Sequence, residues 1–162
     1  MAWYARGMYI KHRKLGSEIK ASKLYRVEPG DFVYNRLFAW KGSFAEATHE
    51  QAGCYVSNEF PTFQVIDSRL KPGYLWAYFS QPMLWDHIES LSSGTSSTSR
   101  LRLKEARLLS FAIPIAPTSV QESLIVLLED CQKLELELRR FVETQGFLFP
   151  AILERTLPLD LR

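Results

Sequence analysis

The sequence predicts an α+β protein, a small and mixed β-rich globular domain followed by a long C-terminal coiled-coil helix. Three observations predict this class: short β-forming runs fill residues 1–66, helical spacing begins after Pro72, and an apolar heptad repeat follows Pro117. The 162 residues, 46% hydrophobic and 23% charged, suit one globular domain with an appendage. We therefore expect a globule over 1–116, a helix over 117–145, and a short C-terminal helix and tail over 146–162.

Strands and turns are predicted in the first part of the chain. Residues 24–27 alternate apolar and polar side chains, as a half-buried strand does, and Glu28-Pro29-Gly30-Asp31 is typical of a turn. Further β-forming runs predict strands over residues 8–10, 32–34, 53–57 and 63–66.

Helices and a loop are predicted after Pro72. Tyr74, Leu75, Tyr78 and Phe79 follow helical spacing, and Trp85 with Ile88 indicates a second short helix. The small polar residues of SLSSGTSSTSR, 90–100, indicate a loop. A brief helical turn over residues 101–109 and a closing strand over 110–114 are expected to complete the globule.

An apolar seam marks the long helix. Spacings of four and three connect Val120 with Phe141 and predict a coiled-coil stripe that must be buried. This stripe packs either against the globule itself or against a partner helix, and both alternatives remain open. We expect Gly146 to end the helix and Pro150 to start another. The residues expected to carry helix–helix assembly are Leu124, Leu127, Leu134, Leu138 and Phe141.

Catalytic patterns are absent from the sequence. The histidines His12, His49 and His87 stand far apart, the two cysteines form no CxxC pair, and no glycine-rich phosphate loop occurs. We predict no enzyme activity, no metal site and no cofactor. With no membrane-length apolar run and no signal peptide, we expect a cytoplasmic protein.

The charge is unevenly distributed although the net charge is only +2. Residues 1–26 contain seven basic side chains against Glu18 alone, and four more basic residues fall within 100–107. The long helix that follows is acidic. A basic globule with an acidic helix is typical of a protein that meets phosphates with one part only.

Candidate DNA contacts combine this charge with amide and aromatic groups. Basic side chains neutralise phosphates, and asparagine can form two hydrogen bonds to adenine. The alternatives are solvated basic faces, an aromatic core residue and a turn-capping amide. The candidates are Lys11, Arg13, Arg36, Trp40, Lys41, Asn58, Arg100, Arg102 and Lys104.

The order of motifs resembles one half of a DNA-specificity subunit of type I restriction–modification systems. The resemblance runs through LYRVEPGDFVYNRLFAWKGSFA, GCYVSNEFPTF, PGYLWAYFSQP, SSGTSSTSRLRL and LLSFAIPIAPTSVQESLIVLL. It covers nearly all of residues 20–143, and Gln121 stands where the family usually has a glutamine near the start of its helix.

What the resemblance implies is a target recognition domain followed by a long conserved helix. Such a chain would be a non-catalytic subunit that directs methylation and restriction subunits to double-stranded DNA. Complete family members carry two such units and this chain carries one, and the family's usual opening segment is not evident before Tyr9. Two alternatives therefore stay open: a half-subunit that forms a homodimer through helix 120–141, or a truncated remnant acting only as an assembly module. A nuclease is disfavoured because the carboxylates are scattered.

Overall fold

The computed structural model describes residues 6–94 and 101–156, with side chains through residue 148. It confirms a mixed α+β protein with small sheets and a long C-terminal helix. The chain divides into two compact units, Met1–Ile125 and Val126–Arg162, so the first turns of the long helix belong to the globular unit. In the described part of the chain, no helix is long and apolar enough to cross a membrane.

The larger sheet has three antiparallel strands. Strand β2, Phe32–Tyr34, lies between β3, Phe44–Glu46, and β5, Thr62–Phe63. All three residues of β2 are buried, which explains its unbroken run of β-forming side chains. A separate two-stranded sheet pairs β1, Tyr25–Arg26, with β4, Tyr55–Val56.

Two short helices follow the sheets; the first packs against the larger sheet, and the second packs against the 3-10 helix Ala39–Lys41. Helix α1, Pro72–Phe79, and helix α2, Pro82–Leu91, each begin with a proline in the first turn, where the missing N–H costs no hydrogen bond. Phe79 of α1 stacks on Phe44 of β3 with ring centroids 4.8 Å apart. A short helix α3, Glu105–Leu108, follows. The predictions of helices after Pro72 are thereby confirmed.

Helix α4, Thr118–Thr156, is continuous, whereas the sequence predicted an end at Gly146. Gly146 is not among the glycines with positive φ, so it does not form the left-handed cap that ends many helices. A glycine inside a helix costs only about 1 kcal/mol, and the neighbouring turns tolerate it.

Three predicted strands are wrong in whole or in part. Residues 8–10 form no strand, and Tyr9 and Ile10 are both exposed. The strand expected over 63–66 is confined to Thr62–Phe63, and Ile66 is 96% exposed. Residues 110–114 form no strand either; Phe111 instead packs its ring against Phe79, with centroids 5.6 Å apart.

Candidate nucleic-acid interface

The end of strand β2 brings together three distant chain segments. The Tyr34 hydroxyl donates to the Leu103 carbonyl at 2.9 Å, and the Leu103 N–H donates to the Arg36 carbonyl at 3.0 Å. The Arg36 N–H in turn donates to the Glu59 carbonyl at 2.9 Å. Because Leu103 is fully buried, these bonds fix its neighbours at the surface. We call the resulting site the β2-terminal surface, formed by Arg36, Asn58, Glu59, Arg102, Lys104 and Glu105.

Two ion pairs organise the β2-terminal surface. The Arg36 guanidinium donates to the Glu105 carboxylate, and Arg102 Nη2 donates to Glu59 Oε1 at 2.8 Å. Arg102 also exchanges two backbone hydrogen bonds with Ser93, at 3.0 and 3.1 Å. Both arginines are therefore held in defined positions with their charge balanced by a carboxylate.

Unused hydrogen-bonding capacity remains within this surface. Arg36 Nε and Glu59 Oε2 are buried atoms with no hydrogen-bond partner among the described residues. Most buried polar atoms in native proteins have a hydrogen-bond partner, so two unpaired buried atoms in one small site are unusual. Beneath them, burial raises the pKa of Tyr34 to about 12, although the neighbouring Arg36 guanidinium acts in the opposite direction. The charged side chains of the β2-terminal surface therefore lie over the buried aromatic ring of Tyr34.

The remaining members of the β2-terminal surface are exposed. Asn58 lies in the turn that the Phe60 N–H closes on the Ser57 carbonyl at 3.0 Å. Lys104 precedes helix α3, and its side chain has no partner in the described ranges 6–94 and 101–148. Within the described residues, the β2-terminal surface therefore combines two arginines that are paired with carboxylates, one unpaired lysine and one unpaired asparagine amide.

The structure does not bring every candidate to this surface. Lys11 and Arg13 lie in an exposed segment before β1, and among described residues no contact joins them to Arg36 or Arg102. Arg100 lies outside the described residues.

Trp40 and Lys41 form part of a different surface with helix α2. The Lys41 ammonium lies 4.7 Å from the centre of the Trp40 ring. Together with Met83, Trp85, Asp86 and other α2 residues, this pair lines a shallow cavity of about 450 Å³. The carboxylates of Asp86 and Glu89 line the same cavity, so it is not a basic surface.

Sequence reasoning did not single out the two carboxylates of the β2-terminal surface as site residues. Glu105 is 69 positions from Arg36, and Glu59 is 43 positions from Arg102. No helical or strand periodicity connects residues so far apart. In the described residues, no group of three or more His, Cys, Asp or Glu side chains could hold a metal ion.

Comparisons with known proteins show a likeness to a solved structure. No protein-family model matches the chain, and no curated protein sequence matches it. Among solved structures, the chain is similar to the crystal structure of the HsdS subunit from Thermoanaerobacter tengcongensis, with a TM-score of 0.66 and 16% sequence identity. The likeness covers 99% of this chain and 42% of that chain. At this identity the comparison shows a shared fold.

Proposed function

We propose that this chain is a sequence-specific DNA-recognition component of a type I restriction–modification complex. The observation that carries the proposal is its fold, which is similar to that of an HsdS specificity subunit over 99% of this chain. In this proposal the chain performs no chemistry itself and directs methylation and restriction subunits to their target. Such a role is consistent with the cytoplasmic location expected from the sequence.

The β2-terminal surface is the proposed site of base recognition. Arginine reads guanine with two parallel hydrogen bonds, asparagine reads adenine, and glutamate accepts from cytosine. Arg36, Arg102 and Asn58 supply the first two kinds of group within one site, while Glu59 holds Arg102 in position through its Oε1 atom. The ion pairs favour base edges over phosphates, because each arginine already faces a carboxylate.

Phosphate contacts are proposed for cations that have no carboxylate partner in the described part of the chain. Lys104 lies beside the base-reading groups, while Lys11 and Arg13 lie on the exposed segment before β1. Trp40 and Lys41 are left out of the proposed DNA surface because Asp86 and Glu89 flank them. Like charges disfavour a nearby phosphate.

A selection experiment tests the proposal. The chain with its methylation subunit is incubated with random duplexes at two salt concentrations, and retained DNA is sequenced. We expect a short motif. Arg102→Ala should relax one position of it, at a cost of about 1–3 kcal/mol, whereas Lys104→Ala should weaken all duplexes and reduce the salt slope by about one.

Lys133→Ala is the matched control, since Lys133 is an exposed lysine of α4 paired only with Asp130 among the described residues. It should change neither the motif nor the salt slope. Retention that yields no motif and vanishes at the higher salt concentration would contradict base recognition.

One observation favours a second candidate, an assembly module without DNA readout. Both arginines of the β2-terminal surface are balanced by Glu59 and Glu105, which lowers the attraction for DNA. Under this alternative, the methylation subunit would bind while no duplex is retained above background. The same selection distinguishes the two functions.

A further inference from the structure

The shallow cavity between helix α2 and the 3-10 helix Ala39–Lys41 has the features of a binding site. We call this cavity the tryptophan dish. Its volume is about 450 Å³, and it is open to solvent. It lies within the globular unit and does not depend on the proposed DNA surface. Its lining residues are Trp40, Lys41, Pro82, Met83, Trp85, Asp86 and Glu89.

The floor of the dish is held rigidly. Gly42 has a φ of +68°, and a Cβ atom there would overlap the Trp85 ring, so the indole fits only against a glycine. Trp85 Nε1 donates to the Phe79 carbonyl at 2.9 Å, and Trp40 Nε1 donates to the Leu37 carbonyl at 3.0 Å. Both indole N–H groups are used internally. Neither indole N–H is therefore available to a ligand, and the two side chains line the cavity as apolar groups.

The rim of the dish combines apolar and acidic side chains. Met83 is 75% exposed. The carboxylates of Asp86 and Glu89 are exposed and have no hydrogen-bond or ion-pair partner among the residues that the structure describes. Three residues apart on a helix, they lie on neighbouring positions of one face. Against these two negative charges the lining contributes one cation, Lys41.

This combination identifies the chemistry of the occupant. Apolar rings favour a flat or aliphatic group, and two adjacent carboxylates favour a cation with several donors. A guanidinium is planar, stacks on aromatic faces and binds carboxylates through two parallel hydrogen bonds, whereas an ammonium is a compact point charge. Lys41 above Trp40 already shows that a cation can lie against one of these rings. DNA phosphates would be repelled by the same rim.

We propose that the tryptophan dish docks an arginine side chain presented by a partner protein. The aliphatic stem lies over Trp40 and Trp85, and the guanidinium reaches Asp86 and Glu89. The dish thereby supplies a protein-docking site on the globule, separate from the helix seam and from the β2-terminal surface.

An NMR titration of the full chain tests this docking. The probes are N-acetyl-arginine methylamide and its neutral isostere N-acetyl-citrulline methylamide, and the indole N–H signals of Trp40 and Trp85 are followed. We expect both signals to shift with the arginine compound and to remain in place with citrulline. The double variant Asp86→Asn/Glu89→Gln should weaken the arginine response about tenfold or more, as expected for lost charge-assisted hydrogen bonds.

Glu50→Gln, at another exposed carboxylate, is the matched control and should respond like the unaltered chain. Equal shifts with arginine and citrulline, or no shift with arginine, would overturn the proposal. It would also fall if the Asp86/Glu89 variant bound random duplexes more tightly while its arginine response stayed unchanged. That result would assign the dish to DNA.

Discussion

Tyr34 connects the central strand with the β2-terminal surface at the level of a single side chain. Its ring packs between Phe44 and Phe63, with centroid distances of 5.9 and 6.2 Å, and the side chain is fully buried. Its hydroxyl donates to the Leu103 carbonyl, so one phenol both fills the core and fixes the segment that carries Arg102 and Lys104. Burial raises the pKa of this hydroxyl to about 12.

The raised pKa of Tyr34 predicts a loss of stability in alkali. An unfolded tyrosine ionises near pH 10, so between pH 10 and about 12 the unfolded chain releases a proton that the folded chain retains. This contribution is present below pH 10 and is lost as the pH rises through that window. The Tyr34→Phe variant has no phenol hydroxyl and therefore lacks this pH-dependent contribution. At pH 8 it should be less stable by about 1–2 kcal/mol, because the Leu103 carbonyl loses its hydrogen-bond donor. Its deficit should disappear near pH 11, measured by urea denaturation.

Tyr55→Phe, which removes an exposed phenol, is the control. A Tyr34→Phe deficit that is the same at pH 8 and pH 11 would show that the buried phenol does not govern the alkaline loss.

Residue type and charge select individual candidate residues, but they do not reveal the groups that position them. Arg36, Asn58, Arg102 and Lys104 were predicted from residue type and charge, and the structure places them on one surface. Glu105, the partner of Arg36, was not predicted because tertiary packing joins residues 69 positions apart. Single side chains carry a chemical signal in the sequence, while their long-range partners do not.

Helix α4 is attached to the globule by a buried amide in its first turn. Gln121 is fully buried, and its Oε1 accepts from the Lys71 N–H at 3.0 Å. Its Nε2 donates to the carbonyls of Arg69 and Ala116, at 2.8 and 2.7 Å. One turn later, Ile125 packs closely against Gly73 of α1. This face of the helix therefore serves the globule and leaves Val120 and Leu124 partly exposed.

Gln121→Glu is expected to destabilise this attachment by about 2–4 kcal/mol. The substitution keeps the acceptor for Lys71 and replaces the two donated hydrogen bonds by a carboxylate facing two carbonyls, each left unpaired in a buried site. Thermal or urea unfolding measures the loss. Glu122→Gln, which removes only a surface ion pair with Lys71, should change stability by less than about 1 kcal/mol. Equal stability of the two variants would disprove the role of Gln121.

Elements were predictable where a pattern is long or a buried run is unbroken. The heptad spacing predicted α4 over many turns, and the β-forming residues 32–34 predicted strand β2. The strands expected at 8–10, 63–66 and 110–114 failed because β-forming residues alone do not supply a pairing partner. The prediction that α4 ends at Gly146 was wrong because a glycine can adopt helical φ as well as the left-handed φ that ends many helices.

At the scale of the whole molecule, the apolar seam predicted on α4 is exposed to solvent. The exposed fractions are 39% for Leu124, 60% for Leu127, 59% for Leu134, 64% for Leu138 and 62% for Phe141. A heptad stripe this exposed in the single chain favours a partner helix. We propose a second copy as that partner. Residues 118–130 carry three acidic and no basic side chains, whereas 131–148 carry three of each, so antiparallel pairing separates the two acidic ends.

Seam substitutions are therefore expected to dissociate the pair and leave the fold intact. Leu134→Gln/Leu138→Gln removes two leucines from each helix, and at about 1.5–3 kcal/mol for each buried leucine it should weaken association by about 10⁴-fold or more. Glutamine retains good helix propensity, so circular dichroism should change little. Sedimentation equilibrium measures the mass. The control Val126→Gln/Leu136→Gln alters side chains of similar exposure that lie off the seam, since residues two apart are rotated by about 200° around a helix.

A dimer related by twofold symmetry would present two identical recognition surfaces, so the selected DNA motif should be an inverted repeat. The seam variant should then retain only single half-sites. If the unaltered chain is a monomer at every concentration, self-pairing is wrong and the seam belongs to a different helix. If the chain is a dimer and the off-seam control dissociates as readily as the seam variant, the heptad stripe is not the interface.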